Sequence, residues 1–225
     1  MKYKCLILDH DDTVVKTTPE VHFPSFKETL RRIRPQLIDM TLEQFVNYCF
    51  DPGFYSLCVD ILKLTKEEKE KQYFEWLDYN KTKIPDCYEG LGEFIKEFVK
   101  DGGRLCVASH SDEQIIRRDY LHHFELEPDL VFGWGERETH RKPYPYPIEE
   151  AHKRLSIPYG QMLVVDDLKP GYTMAKRAGV KFAYAGWSSS DKVKEVNEFM
   201  RQNADYCFFD IKDLKNLIFE KVEDR

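Results

Sequence analysis

Short apolar runs separated by helix-length segments are the feature of this 225-residue chain that most constrains its fold. The runs cover residues 4–8, 104–108, 129–132, 162–165 and 180–185. Runs of this length are typical of buried strands, and the segments between them carry apolar residues at helical spacing, such as Leu91, Phe94 and Phe98. Strands that alternate with helices indicate βαβ units. We therefore expect an α/β fold with a Rossmann-like parallel sheet core and helices on both faces.

Residues 14–86 interrupt this alternation. They contain no strand-like run but several helical stretches, at residues 26–33, 42–49 and 66–80. A chain of this length can form one sizeable core that carries a smaller inserted unit. The sequence thus predicts an α/β catalytic core made of residues 1–13 and 87–225, with a small α-helical domain of residues 14–86 inserted after the first strand.

Composition and charge limit the classes of function. The net charge of −6 argues against a nucleic-acid partner, because phosphate backbones attract clustered Lys and Arg. The sequence has no run of 18 or more apolar residues, and its first ten, MKYKCLILDH, include no signal-peptide cleavage site. We therefore expect no membrane partner and a cytoplasmic location. The six cysteines are scattered singly without the spacing of a zinc site, which favours reduced thiols.

Acidic residues follow two of the predicted strands. Asp9 and Asp11 come directly after the first strand, in the segment DHDDT. A carboxylate fixed at a strand end can attack phosphorus, and a second carboxyl two residues later can give and take a proton. Asp166 and Asp167 follow the run at 162–165, and adjacent carboxylates repel each other unless a cation such as Mg²⁺ compensates them. The alternative interpretation of each segment is a solvated acidic turn.

Three further polar residues are candidates for binding substrate. Ser109 follows the run at 104–108, where its hydroxyl could hold a phosphoryl oxygen, and His110 is its neighbour. Lys142 stands in the segment HRKPYP and could balance negative charge on a transferring phosphoryl group. A strand-end serine is also a common turn residue, so each signal alone is weak.

The order and spacing of these four elements resemble the haloacid dehalogenase superfamily. The motifs of that family stand here as DHDDT after the first strand, VASHS after the second, RKPYP before a later helix and VVDDLKPG after the fourth. The stretch VVDDLKPGYTMAKRAG looks like the β-phosphoglucomutase-like and phosphoglycolate phosphatase-like subgroup, whose members carry a helical cap. The resemblance spans Asp9 to Gly171, and it implies that residues 14–86 form such a cap, which would close over the site and exclude water.

The resemblance also implies roles for individual residues. Asp9 would be the nucleophile and Asp11 the general acid and base, while Ser109 and Lys142 would bind the phosphoryl group. Four residues of the predicted cap could line the substrate space, although no role is assigned to them: His22, Phe23, Phe54 and Tyr55.

A magnesium site is the second implication of the resemblance. Asp9, the backbone carbonyl of Asp11 and Asp167 would hold the ion, and Asp166 would assist directly or through water. His10 departs from the apolar or small residue that the family carries between its two acids. We expect a histidine in a surface turn at this position rather than a substrate contact.

Together these features predict a phosphoric monoester hydrolase, a magnesium-dependent phosphatase that acts on a small phosphorylated metabolite through an aspartyl-phosphate. A phosphomutase of the β-phosphoglucomutase type is the alternative, because it uses the same core residues. It would also need a cationic residue of the cap for a second phosphate, and the candidates are Lys16, Arg31, Arg32 and Arg34, of which the arginines are predicted to face solvent. From another class, the alternative is a non-catalytic or phospho-acceptor regulatory protein on an α/β fold. We expect a monomer or a weak homodimer.

Overall fold

The computed structural model of the chain describes residues 1–188 and 193–220. Residues 189–192 and 221–225 of the predicted core lie outside the described residues. Within the two described ranges, no helix is both long enough and apolar enough to cross a lipid bilayer.

A parallel sheet forms the centre of the fold, and six strands of it lie in the described part of the chain. The strands are β1 (Cys5–Leu8), β2 (Arg104–Ala108), β3 (Leu130–Phe132), β4 (Met162–Asp166), β5 (Lys181–Ala185) and β6 (Tyr206–Phe208). Their order is β3-β2-β1-β4-β5-β6, and every neighbouring pair is parallel. The chain therefore builds outward from β1 to one edge, returns to β4 beside β1 and builds to the other edge. The predicted Rossmann-like parallel sheet is confirmed.

Helices cover both faces of the sheet. The described helices are α1 (Phe23–Ile33), α2 (Leu42–Phe50), α3 (Phe54–Ser56), α4 (Lys66–Thr82), α5 (Leu91–Lys100), α6 (Glu113–Phe124), α7 (Tyr146–Leu155), α8 (Lys169–Ala178), α9 (Lys194–Asn203) and α10 (Ile211–Phe219). Successive side chains of a strand point to opposite faces, so Leu6 and Leu8 of β1 pack with α5, α6 and α10, while Cys5 and Ile7 pack with α7, α8 and α9. Both faces of β1 are buried, which is why its sequence is apolar throughout.

A helical insert, residues 18–82, separates β1 from α5. It begins with a π-helical segment, Thr18–His22, and includes α1 to α4. Its helices pack around an apolar cluster of their own, formed by Phe26, Leu30, Phe45, Leu57, Cys58 and Leu64. Thr41 begins α2 and Thr65 begins α4, each as part of a capping box that satisfies backbone N–H groups at the helix start. The stretches at 26–33, 42–49 and 66–80 that the sequence predicts to be helical correspond to α1, α2 and α4.

The chain enters and leaves the helical insert side by side. Val15 pairs with Asp11 and with Cys87 in isolated β-bridges, and Lys16 N–H donates to the carbonyl of Asp86 at 2.9 Å. Val15 and its neighbour Val14 pack in the core of the sheet rather than in the cluster of the insert.

The helical insert also contacts the core away from these junctions. The ring of Phe50 in α2 packs edge-on against Phe199 in α9, with 5.4 Å between centroids. Lys169 at the start of α8 places its Nζ atom 2.8 Å from Asp51 Oδ2. Because α8 follows the carboxyl end of β4, these contacts hold the insert near the edge where the central strands end.

We expect Phe94→Ala to lower the free energy of unfolding by about 3–5 kcal/mol, because Phe94 is fully buried and truncation of a buried ring leaves a cavity. Its ring lies 6.2 Å from those of both Phe98 and Phe219, so the loss would be felt between α5 and α10. Equilibrium unfolding in urea measures the change. Val99→Ala on the exposed side of the same helix is the control and should change the value by less than about 1 kcal/mol. Equal losses in the two variants would contradict this description of the core.

Candidate active site

The carboxyl ends of β1 and β4 bring three acidic side chains together. Asp9 follows β1, Asp166 ends β4 and Asp167 follows it. The two strands are neighbours in the sheet, and carboxylate oxygens of the three residues lie within 4.8 Å of one another. All three side chains are buried. This is the point where the strand order reverses, and open α/β sheets bind their ligands there.

Lys142 joins two of these carboxylates. Its Nζ atom lies 2.9 Å from Asp9 Oδ1 and 2.6 Å from Asp166 Oδ2. Burial by itself lowers the pKa of a lysine, but the negative charges of Asp166 and Asp9 outweigh that cost, so the pKa of Lys142 lies above its ordinary value. The lysine therefore stays charged in the cleft. The sequence predicts Asp9, Lys142 and Asp166 as separate site residues, and the fold brings their side chains into contact.

The acidic pair carries more negative charge than Lys142 can balance. Burial raises the pKa of Asp166 to about 7, against the opposing effect of Lys142. Burial and the charges of Asp12, Asp166 and Asp9 raise the pKa of Asp167 well above its ordinary value. A bound cation would lower both pKa values, because it favours the ionised carboxylates.

The donors present fit a magnesium ion. Among the described residues, the buried Oδ1 atom of Asp167 has no hydrogen-bond partner, while its Oδ2 accepts from Ser188 Oγ at 3.3 Å. An unsatisfied buried carboxylate oxygen is costly unless a cation binds it, and Mg²⁺ prefers carboxylate oxygens. Asp166 differs from Asp167, because its carboxylate is already bonded to Lys142 and to the backbone N–H of Leu168 at 2.8 Å.

The nucleophile candidate, Asp9, is held from two sides. Its Oδ1 atom accepts from the backbone N–H of His10 at 2.7 Å and lies 2.9 Å from Lys142 Nζ. Its own backbone N–H donates to the carbonyl of Val165 in β4 at 2.9 Å. One hydrogen bond and one ion pair on the same oxygen orient the carboxylate, and in-line attack on a bound group requires such an orientation.

Asp11, the acid and base candidate, accepts from two serines. Ser109 Oγ donates to Oδ2 at 3.1 Å, and Ser111 Oγ donates to the same oxygen at 2.8 Å. The sequence predicts Ser109 as a phosphoryl-binding residue, and the structure brings its hydroxyl to the carboxylate that would move the proton. Ser111 was not among the predicted site residues. Its only sequence signal is its position two residues beyond Ser109, in the same strand-end loop.

The helical insert contributes a histidine to Asp11. His22 Nε2 lies 3.2 Å from Asp11 Oδ1, and His22 Nδ1 accepts from Trp76 Nε1–H at 3.0 Å. Because the indole can only donate, the proton of a neutral His22 lies on Nε2, facing the carboxylate. Burial alone lowers the pKa of His22, but Asp11 outweighs it and the pKa is raised; the same pairing holds the pKa of Asp11 below its ordinary value in spite of burial.

His22 was one of four insert residues that the sequence left without a role, and Trp76 was not among the candidates. The other three have different surroundings: Phe23 packs at the edge of the apolar cluster of the insert, whereas Phe54 and Tyr55 are 36% and 68% exposed.

Asp12 completes the loop after β1. Its φ of 57° lies in the left-handed region that a non-glycine residue rarely adopts. The side chain is buried, which raises its pKa to about 7 even though its Oδ1 accepts from the backbone N–H of Thr18 at 3.2 Å. Asp12 thus connects the loop after β1 to the first residue of the helical insert.

The prediction for His10 is wrong. Its side chain is fully buried, not in a surface turn, and its Nε2 atom lies 3.1 Å from Asp119 Oδ2 in α6. The ring stacks on Tyr120, with 5.9 Å between centroids. Helix α6 packs over the DHDDT segment, and that packing cannot be inferred from a polar residue inside an acidic segment.

His110 lies beside Lys142. It is exposed, and its Nε2 donates to the backbone carbonyl of Lys142 at 2.9 Å. Surrounding protein atoms, and then the charge of Lys142, lower its pKa. The side chain therefore steadies the lysine loop while remaining accessible from the cleft, where the sequence predicts a substrate contact.

Gly171 in α8 supports the acidic pair, because a Cβ atom there would lie 2.1 Å from Asp166 Oδ2. We expect Gly171→Ala to displace the Asp166 carboxylate and to weaken Mg²⁺ binding at least about tenfold, as losses around metal ligands typically do. Calorimetric titration with Mg²⁺ measures the change. Gly160→Ala is the matched control, since a Cβ atom there has nothing within 4 Å, and it should bind Mg²⁺ like the parent protein. Unchanged affinity in Gly171→Ala would remove Asp166 from the site.

Several proteins of known sequence or structure are similar to this chain over nearly its whole length. Pyrophosphatase PpaX of Halalkalibacterium halodurans is 23% identical over 228 residues, which cover 99% of this chain and 100% of the relative. The crystal structure of a predicted phosphoglycolate phosphatase from Haemophilus somnus superposes with a TM-score of 0.72 at 16% identity, and covers 96% of this chain and 98% of that one. CbbY from Rhodobacter sphaeroides, solved in complex with phosphate, superposes with a TM-score of 0.69 at 17% identity, with coverage of 94% and 96%.

The family itself is identified by a match that spans most of the chain. The model of the haloacid dehalogenase-like hydrolases matches residues 6–185. That range contains the strand ends that carry Asp9, Ser109 and Asp166, together with Lys142 and the whole helical insert. The chain belongs to the haloacid dehalogenase-like hydrolase family.

Proposed function

We propose that this hydrolase is a magnesium-dependent phosphatase that cleaves a small phosphorylated metabolite through an aspartyl-phosphate on Asp9. The observation that carries the proposal is the position of Asp9, fixed between Lys142 and the acidic pair, with Asp11 two residues later in the same cleft. The names of the similar proteins support a phosphorylated substrate, since they include a pyrophosphatase, a predicted phosphoglycolate phosphatase and a protein solved with phosphate.

In the first step, the carboxylate of Asp9 attacks phosphorus and the oxygen of the alcohol leaves. Lys142 lies 2.9 Å from Asp9 Oδ1 and is positively charged, so it stabilises negative charge on the phosphoryl oxygens next to the nucleophile. Asp9, Asp167 and the backbone carbonyl of Asp11 would hold Mg²⁺, with Asp166 fixed by Lys142 close by. The bound ion would neutralise phosphoryl charge and orient the substrate.

Asp11 and His22 together supply the proton for the leaving oxygen. With His22 protonated, the pair holds one transferable proton between Asp11 Oδ1 and His22 Nε2, which are 3.2 Å apart. Ser111 and Ser109 orient the carboxylate during this transfer. In the second step, Asp11 accepts a proton from the water that hydrolyses the aspartyl-phosphate.

The helical insert acts as the cap in this proposal. His22 reaches Asp11 only while the insert lies against the core, so proton transfer and cap closure are linked. Closure also removes water from the cleft, which strengthens the interactions of Lys142 and the carboxylates with the phosphoryl group.

Asp9→Asn should lower the hydrolysis rate of a generic aryl phosphate at least about a thousandfold, because an amide cannot form the acyl-phosphate. Phosphate release in the presence of Mg²⁺ is the measurement. In the same assay, the activity of the parent protein should disappear in excess chelator and return when Mg²⁺ is added. Asp39→Asn, the same chemical change at an exposed position, should leave the rate unchanged. Activity of Asp9→Asn above about a tenth of the parent rate would rule out the covalent mechanism.

Charge pairing in the insert favours a phosphatase over a phosphomutase. A mutase needs a cationic side chain free to bind a second phosphate. Arg31 and Arg32 both pair with Glu28, at 2.7 and 2.9 Å, and their side chains are 62% and 61% exposed. Arg34 pairs with Glu68 at 2.8 Å.

Lys16 is the remaining candidate for a second phosphate. Its Nζ atom lies over the ring of Tyr88, 5.8 Å from the centroid. This cation–π contact would have to be given up before Lys16 could bind a second phosphate.

We therefore expect hexose 1-phosphate, supplied with a trace of the matching bisphosphate, to yield inorganic phosphate without isomerisation. Enzymatic assays of free phosphate and hexose 6-phosphate in the same samples provide the measurement. Accumulation of hexose 6-phosphate with little free phosphate would favour the mutase instead.

A further inference from the structure

His10 is a buried polar residue that the proposed chemistry does not use. Its side chain is 0% exposed, and that of its partner Asp119 is 1% exposed. Because a carboxylate only accepts, the imidazole Nε2–H donates to Asp119 Oδ2, at 3.1 Å. Burying an imidazole and a carboxylate is costly even when they are paired, whereas an apolar side chain would fill the same space at lower cost.

Asp119 extends this contact toward the helical insert. Its other oxygen, Oδ1, accepts from Arg118 Nε at 2.7 Å. The guanidinium group of Arg118 also donates to the backbone carbonyl of Asn80, and to that of Lys83 at 3.5 Å. Helix α4 ends at Thr82, so Arg118 binds the carbonyl groups that a helix leaves unpaired at its C-terminal end.

The opposite end of the same chain of contacts reaches the nucleophile. The backbone N–H of His10 donates to Asp9 Oδ1 at 2.7 Å. The His10 carbonyl accepts from the backbone N–H groups of Val14 and Val15, at 2.9 and 3.2 Å. A shift of the His10 side chain would therefore move the amide group that orients the Asp9 carboxylate.

Helix α4 thus approaches both catalytic acids by separate routes. Through Trp76 and His22 it reaches Asp11, and through Arg118, Asp119 and His10 it reaches Asp9.

We propose that His10 is a positioning residue: through Asp119 and Arg118 it couples the end of α4 to the orientation of Asp9. The cap position then sets the nucleophile and the acid together. This inference rests on the proposed function for its catalytic consequence, but the link between His10 and α4 stands on geometry alone.

Two substitutions at the ends of the link test the catalytic part. His10→Phe keeps the ring on Tyr120 and the backbone N–H but removes the bond to Asp119, and Arg118→Met removes the bonds to α4. Each should lower kcat for an aryl phosphate by about tenfold or more, with KM changed less than about threefold, since small misplacements of a reacting group slow catalysis by up to about a hundredfold. The double variant should be no slower than the worse single variant, because both changes break the same link.

Arg117→Met is the matched control. Arg117 neighbours Arg118 on α6, but it pairs with Glu113 and Glu127 at 2.8 and 2.9 Å and takes no part in the link. This variant should keep the parent kcat and KM. Equal kcat values for Arg118→Met and Arg117→Met would overturn the proposal. So would a double variant whose fold-loss in kcat is the product of the losses of His10→Phe and Arg118→Met.

Hydrogen exchange without substrate tests the link independently of activity. The backbone amides of residues 80–84 should exchange at least about threefold faster in His10→Phe than in the parent protein, which is the typical effect of losing one hydrogen bond. Arg117→Met should not change them. If His10→Phe does not fold, Asp119→Asn takes its place, with the same expectation. Equal exchange rates in His10→Phe and the parent protein would disprove the link. If exchange is faster in the variant but the parent protein hydrolyses no phosphate ester, the proposed function alone would be contradicted.

Discussion

Buried negative charge where β1 and β4 end is the constraint on which the rest of the site depends. Asp9, Asp166 and Asp167 lie within 4.8 Å of one another, and among the described residues Lys142 is the one buried lysine or arginine. The single charge of a lysine cannot balance three carboxylates, so these residues fit a bound divalent cation. Burial, together with the charges of the neighbouring carboxylates, raises the pKa of Asp167 well above its ordinary value.

The same constraint explains the neighbouring sequence. Gly171 is required because any side chain there would collide with Asp166. His110 donates a hydrogen bond to the backbone carbonyl of Lys142 and so helps to fix the position of the lysine. The carboxylates of the site therefore have their orientation set by residues from several elements.

The helical insert contributes a histidine, His22, to the site. Asp11 lies at the boundary, where two serines of the core and one histidine of the insert share its carboxylate. This arrangement ties the position of the Asp11 carboxylate to that of the insert. The proposed link from α4 through Arg118 and Asp119 to His10 would tie the Asp9 carboxylate to the insert as well.

The sequence by itself determined the sheet, its helical faces and the four motif positions, because strand and helix periods and strand-end acids are local patterns. It placed Asp9, Ser109 and Asp166 at strand ends. The division into a core and a cap of residues 14–86 stays a prediction. It missed β6, a three-residue edge strand that is only half-buried, and it left His22 without a role. Only the tertiary structure decided that His10 is buried against Asp119 and that Ser111 and His22 meet at Asp11. The contacts of His10 and Ser111 join residues far apart in the chain, and the contact of His22 depends on how the insert packs on the sheet, which no local pattern encodes.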